Sequence, residues 1–439
     1  MIAFVGLLLF FFLDYVRPTS FIPALEALHM NSLVPAGVVG LSLLSRRPRA
    51  ERVAGEPGNI GMVFTFLLLI VASSAFADVT ERVFNVFVVV VGYVAICWAM
   101  TEQVNTLDRL KSVVMTLLVV HVIVAALNPL MFTDPDVRHY VTSGAFLGDG
   151  NDFALSVIIV IPLCLFLLTD AKKTPQKLFW ALCMAVCIAC VVLTKSRGAT
   201  VGLVCVAGYY WAKSDRKMPM LAGTLVVVAL IMVLAPPIYF ERMSTIADSQ
   251  EGSAQGRIQA WGSAIHMAVD YPLTGVGAGH FPIAFGTKYR SSDQLPWMNA
   301  HSIYFQALGE LGFPGAALLL ALIIRNITAN RRLSRQLQLR DKTQFASERQ
   351  LLSALSASMV GYATAGAFLS ALYYPHLFVL AGLLTAARRL VRERLVADAE
   401  PGAESPALQQ RAVRPDSLSV EWLAARGRAL PMPRTMQRR

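Results

Sequence analysis

His301, Arg197 and Arg257 are the residues whose types and positions best suit chemistry. His301 lies in Trp297-Met298-Asn299-Ala300-His301-Ser302-Ile303-Tyr304, where a polar segment meets an apolar run. Asn299 is a favourable N-cap, so His301 is expected in the first turn of the helix that follows. The positive end of a helix dipole disfavours imidazolium. A neutral imidazole at a membrane–water boundary can accept a proton from a hydroxyl. The competing reading is an interfacial histidine that only caps or snorkels. Arg197 sits in Thr194-Lys195-Ser196-Arg197-Gly198-Ala199-Thr200, a very short turn between two apolar runs. Its guanidinium can bind phosphate in bidentate fashion or anchor a lipid headgroup. Arg257 opens a stretch, 257–269, that reads as a helix ended by Pro272 and the glycines after it. Gly275, Gly277 and Gly279 stand at alternate positions, where glycine lets the backbone turn tightly and approach another group closely. No strand precedes them, so no dinucleotide-binding turn is implied. Glu310 falls on the helix after His301, about two and a half turns deeper. It reads as a buried functional carboxylate or as the partner of a basic residue.

The elements that must position these residues are apolar. The chain has 439 residues, 55% hydrophobic and 15% charged, with mean hydropathy +0.54. Soluble domains carry roughly 25% charged residues, so a soluble enzyme, a disordered chain and a disulfide scaffold are all excluded. The apolar runs have the length a bilayer asks of a helix. Twelve spans are expected, over 2–16, 31–45, 59–77, 83–100, 112–132, 153–169, 178–194, 198–212, 219–240, 301–323, 351–372 and 375–387. With the N-terminus inside, the inner loops hold 19 Lys/Arg and the outer segments 9. That bias places both termini in the cytoplasm. The class is therefore all-α: a polytopic transmembrane bundle with an N-terminal part, 1–240, and a C-terminal part, 301–390. Between them lies a folded periplasmic loop, 241–300; a disordered basic cytoplasmic tail, 391–439, follows.

The net charge of +11 concentrates in the tail and in the loop 325–350. No array of base-stacking aromatics accompanies it, so topology explains it better than nucleic acid. All six cysteines lie inside apolar runs. Cys183, Cys187 and Cys190 share a helix face without His or carboxylate partners, so packing is favoured over metal. Asp134-Pro135-Asp136 has metal-site form but reads as a turn. His121, Ser143 and His376 read as packing or interface residues, and Lys288 and Arg290 as exposed loop charges.

Taken in order, Ser196-Arg197-Gly198, Arg257 with Trp261, Pro272 to Gly279, and His301-Ser302 followed by Gly312 and Gly315 resemble the O-antigen ligase / O-antigen polymerase family of bacterial membrane glycosyltransferases. The resemblance covers about 144–323 and includes the stretch Ser143 to Phe153, to whose residues no role is assigned. It implies transfer of a glycan from a polyprenyl-diphosphate lipid to a hydroxyl at the periplasmic face of the inner membrane. The acceptor would be lipid A-core, another glycan or a protein. No nucleotide sugar or cofactor is implied and, for the ligase branch, no metal. By the same resemblance Arg197 and Arg257 would bind the diphosphate, whose developing charge needs fixed cations. His301 would be the catalytic base, and Gly275, Gly277, Gly279 and Glu310 would support the site as two bulky substrates meet. A repeat-unit polymerase and a protein glycan transferase remain open within the family. A lipid-linked glycan flippase is the rival of another class; it should place its ionisable residues near mid-membrane.

Overall fold

The computed structural model describes residues 1–45, 57–133, 147–214, 217–245, 252–292, 295–341 and 343–399. Among them there is no strand. In chain order the helices are α1 (Ile2–Val16), α2 (Met30–Leu44), α3 (Pro57–Ser73), α4 (Thr80–Gln103), α5 (Leu107–Ala126), the short α6 (Leu130–Thr133), α7 (Gly150–Asp170), α8 (Thr174–Leu193), α9 (Arg197–Lys213), α10 (Lys217–Leu234), α11 (Pro237–Ser244), α12 (Gly252–Asp270), the short α13 (Phe281–Ala284), α14 (Ile303–Arg340), α15 (Ala346–Ala365) and α16 (Pro375–Ala399). A helix stands at each of the twelve expected spans. Ten segments of the described residues are long and apolar enough to cross a bilayer. The protein is a polytopic all-α membrane protein.

Local sequence sets where these helices begin. Thr106 accepts the Arg109 N–H at the start of α5, Asp149 the Asn151 N–H at α7, and Ser196 the Ala199 N–H at α9. Each satisfies a donor that the first helical turn leaves open. Pro175 occupies the first turn of α8, where its missing N–H costs nothing.

The bundle is built around α7 and α15. They pack on each other, α7 also against α8, α5 and α9, and α15 against α9 and α14. Close approach at this centre needs small residues. A Cβ on Gly361 of α15 would meet Ile158 of α7 at 2.7 Å, and one on Gly202 of α9 would meet Ala365 at 3.1 Å. At the other extreme, α10 has no buried residue and stands against α9 alone among the major contacts. Its apolar side chains face outward, as a lipid-facing span requires.

A polar network is sealed inside the bundle. Arg388 of α16 is fully buried and donates to Asn330 Oδ1 (3.1 Å) and Asn326 Oδ1 (2.9 Å) of α14. Asn59 of α3 donates to the same Asn326 oxygen (2.7 Å) and to Thr385 (3.1 Å). Asn330 in turn donates to Leu352 O and to Ser356 of α15. Arg389 donates to Thr101 O and Val104 O at the end of α4. On sequence alone the bundle was expected to end at 390 and the tail to begin at 391. In the structure α16 runs on to Ala399, and Arg388 and Arg389 find buried acceptors within the bundle. The stretch 400–439 lies outside the described residues.

The cysteines are unpaired, and all but the half-buried Cys205 are buried. His121 is buried between Leu117 O and Ser156, and His376 lies against Tyr15, as packing residues should. Ser143 and Asp134 to Asp136 lie outside the described residues.

Replacing Arg388 with alanine removes two charge-assisted bonds and leaves buried amides underused. We expect a loss of about 3 kcal/mol, read as a lower thermal midpoint in detergent. An Arg388→Ala protein as stable as wild type would show that the network does not hold α3, α14 and α16 together.

Candidate active site

Within 241–300 the described residues are 241–245, 252–292 and 295–300. They carry α11, α12, α13 and a π-helical turn at 285–289, and close a small core of Ala260, Ala264, Met267, Val276, Phe281, Ala284, Phe285 and Ala300. α12 lies along α14. Trp261 of α12 donates from Nε1 to Ala300 O (3.0 Å) and stacks on Phe305 at 5.0 Å between ring centres. Arg257 is one helical turn before Trp261, on the same side of α12, and is half-buried. The expected helix over 257–269 is thus present and begins five residues earlier, at Gly252.

His301 differs from expectation. Ser302, not Asn299, is the N-cap, and the helix starts at Ile303. His301 precedes it with φ +48°, a left-handed conformation rare for a residue with a Cβ. Its N–H donates to Ser370 Oγ at 2.8 Å. The local capping preference of Asn299 loses to two tertiary bonds, one at Ala300 O and one at the His301 N–H.

Arg197 is the first residue of α9, just after Lys195, which has φ +54°. It donates from Nη1 to Thr245 Oγ1 (3.0 Å) and weakly to Thr245 O (3.4 Å), so it meets the segment that follows α11. The turn after α15 joins the two sites. A Cβ on Gly198 would touch Phe368 at 3.0 Å, and one on Gly366 would touch Ile303 at 2.8 Å. Arg197 and His301 therefore flank one turn, 366–370, at the same end of the bundle. Arg257 is brought to that end through Trp261 and Ala300.

Glu310 and the glycines form a separate structural unit. At Gly312 α14 breaks (φ 66°, ψ −167°). Pro314 has no N–H for Glu310 O, so that carbonyl accepts from Gly277 N instead (3.2 Å). Gly309 O accepts from Val276 N (2.9 Å), and Phe313 N turns to Pro272 O (2.9 Å). The loop replaces the helical bonds that the break gives up. Gly275, Gly277 and Gly279 all have positive φ. A Cβ at Gly275 would lie 2.3 Å from the Glu310 carbonyl carbon, and one at Gly277 would lie 2.7 Å from Ala77. These glycines are packed close, in tight turns against neighbouring backbone and side chains.

The Glu310 carboxylate is buried and accepts from Gly279 N (3.0 Å) and Phe281 N (3.2 Å). Gln306 donates to it weakly (3.5 Å) and accepts from Leu372 N with its other end (3.2 Å). Gln306 thus ties the glycine loop to the same 366–374 segment that holds His301. Glu310 positions backbone.

His280 was not singled out by sequence. It is buried, and its Nε2 accepts the Val79 N–H at 2.9 Å, so the neutral ring is the bonded form. Burial, the largest cause, holds the imidazole below its ordinary value of 6.5. Lys288 is exposed, as expected of a loop charge, and it donates to Asp270 (3.0 Å) and lies over the rings of Tyr271 and Tyr289. Hydrogen bonds from Tyr289 and then Lys288 hold the Asp270 carboxyl below the usual range. Among the described residues no cluster of three metal-ligating side chains occurs.

Gly275→Ala should destabilise the loop by about 3 kcal/mol or more, since backbone cannot give way. Glu310→Ala should raise amide exchange at 277–281 while α7 and α15 stay protected. Unchanged exchange there would remove Glu310 from this role. Because the His280 value is lowered in the folded state, its stabilisation is present above pH 6.5 and is lost as pH falls through the folded value. Amide exchange at Val79 should therefore accelerate from pH 7 to pH 5 beyond the intrinsic trend, and should not do so in His280→Gln.

No curated protein matches the chain. Residues 181–320, which contain Arg197, Arg257, the three loop glycines, His301 and Glu310, match the family described as O-Antigen ligase.

Proposed function

We propose that the protein transfers a glycan from a polyprenyl-diphosphate lipid to an acceptor hydroxyl, at the face of the bacterial inner membrane that carries His301. Following the distribution of basic loops, that face is periplasmic. The observation that carries the reading is the backbone of His301. A histidine held left-handed by Ser370 stores local strain, and such strain gathers at functional sites. It stands across one turn from Arg197, with Arg257 drawn to the same end.

In the proposed reaction the acceptor oxygen attacks the anomeric carbon while its proton passes to the neutral His301 ring. The bond from that carbon to the diphosphate oxygen breaks, and the electron pair leaves with polyprenyl diphosphate. Arg197 and Arg257 meet the charge that develops on the leaving group. The Glu310–Gln306 bridge keeps the glycine loop and the His301 turn in fixed relation, so two large substrates meet in one geometry.

The test uses purified protein in lipid with a polyprenyl-diphosphate glycan. Lipid A-core, a second lipid-linked glycan and a protein are offered one at a time. Wild type should transfer to one of them, and that acceptor separates ligase, polymerase and protein-glycosylating activity. His301→Ala should lose about 10²–10⁴ in rate and each Arg→Ala about 10²–10³, with insertion and thermal midpoint retained. Normal transfer by His301→Ala would end its assignment as base. Movement of glycan across the bilayer without transfer would favour the flippase reading.

A further inference from the structure

The end of the bundle opposite His301 carries a cavity that the transfer reaction does not use. α7 leaves the Arg197 end at its last turns and α8 returns to it, so the α7–α8 connection lies at the far membrane face. There the ends of α5, α7 and α8 enclose an open cavity of about 560 Å³. This is within the 300–1,000 Å³ typical of ligand sites. Its wall has two characters. Met115, Leu167, Phe179 and Trp180 make an apolar side, with the Phe179 and Trp180 rings edge to face at 4.7 Å. Lys111, Lys172 and Lys173 make a basic rim.

The charges on this rim are not balanced. Asp170 is the only acid in the lining. Lys111 Nζ takes one of its oxygens (2.6 Å) and Ser347 the other (2.6 Å). Lys172 and Lys173 are exposed, with no carboxylate at ion-pair distance among the described residues. Beside the cavity Leu178 and Leu182 of α8 are 66% and 64% exposed, so the opening gives onto the lipid-facing surface. A ligand here must be anionic at the rim and apolar below it.

We propose that this cavity binds the phosphate headgroup and upper acyl chain of an anionic glycerophospholipid from the leaflet opposite His301. Basic pockets between membrane helices suit such headgroups. Lys172 and Lys173 bind the phosphate, and the Phe179–Trp180 edge lies along the chain. Bound there, the lipid joins α5, α7 and α8 at the place where Asp170 and Ser347 already link α7 to α15. The inference is independent of the transfer reaction.

The experiment uses the full-length protein in neutral detergent. Phosphatidylglycerol, phosphatidylcholine and glycerol 3-phosphate are added separately, and the thermal midpoint is followed. A second readout is quenching of tryptophan emission by phosphatidylglycerol brominated in the upper acyl chain, with Trp180→Phe as the blank. Phosphatidylglycerol alone should raise the midpoint and quench Trp180. In the double variant Lys172→Ala/Lys173→Ala its apparent affinity should fall about tenfold to thirtyfold. Both lysines are exposed, so folding is not at stake. Equal effects from phosphatidylcholine, or an unchanged affinity in the double variant, would overturn the proposal. Stabilisation by glycerol 3-phosphate as strong as by the lipid would overturn it as well, in favour of a soluble phosphate ligand.

Discussion

The candidate site depends on one exchange of hydrogen bonds. Gly312 and Pro314 break α14, and the carbonyls of Gly309 and Glu310 lose their helical donors. Buried carbonyls without partners would be costly. The loop after α12 supplies Val276 and Gly277 N–H in their place, and takes back Phe313 N through Pro272 O. Neither partner has a satisfied backbone alone. The loop needs positive φ to reach into the break, which explains why glycine stands at 275 and 277. The Glu310 side chain then fixes Gly279 and Phe281, so one residue holds the loop with both its backbone and its carboxylate.

From that junction the constraint spreads in two directions. Gln306 carries it to Leu372, and so to the turn whose Ser370 holds His301. Trp261 carries it along α12 to the helix face of Arg257. The same turn packs on Gly198, beside Arg197. Three polar residues drawn from different helices are thus referred to one short segment. In the proposed reaction such fixed reference points would hold two large substrates in one geometry.

The sequence makes the helices legible because lipid imposes a simple rule: every crossing must be apolar and must satisfy its own backbone. The order of the spans follows from that rule, while their ends, such as that of α14 at Arg340, do not, and Arg197 and His301 stand out as polar residues near such ends. What hides from sequence is tertiary. Asn299 reads as the N-cap of α14, yet Ser302 holds that position, because Trp261 and Ser370 bind the two ends of the Ala300–His301 peptide. Glu310 reads as a functional acid, and only the folded chain reveals two loop amides as its partners. The network around Arg388 and Arg389 carries no local signal, because their acceptors, Asn326, Asn330 and the end of α4, are far away in sequence. His280 carries no local signal, since its partner Val79 belongs to another connection.

The length of α14 has a mechanical consequence. Its 38 residues greatly exceed a single crossing. From Phe313 to Arg340 alone the rod is about 42 Å long at 1.5 Å per residue, against a hydrocarbon thickness of about 30 Å. The excess carries the exposed Arg331, Arg332, Arg335 and Arg340, residue types that suit the headgroup and water layers. A long apolar rod accommodates bilayer thickness by tilting. The break at Gly312 is no free pivot, since the 272–279 loop bonds across it and Asn326 and Asn330 tie the rod to α3, α15 and α16. Any tilt of this rod must load the glycine loop and the Arg388 network together.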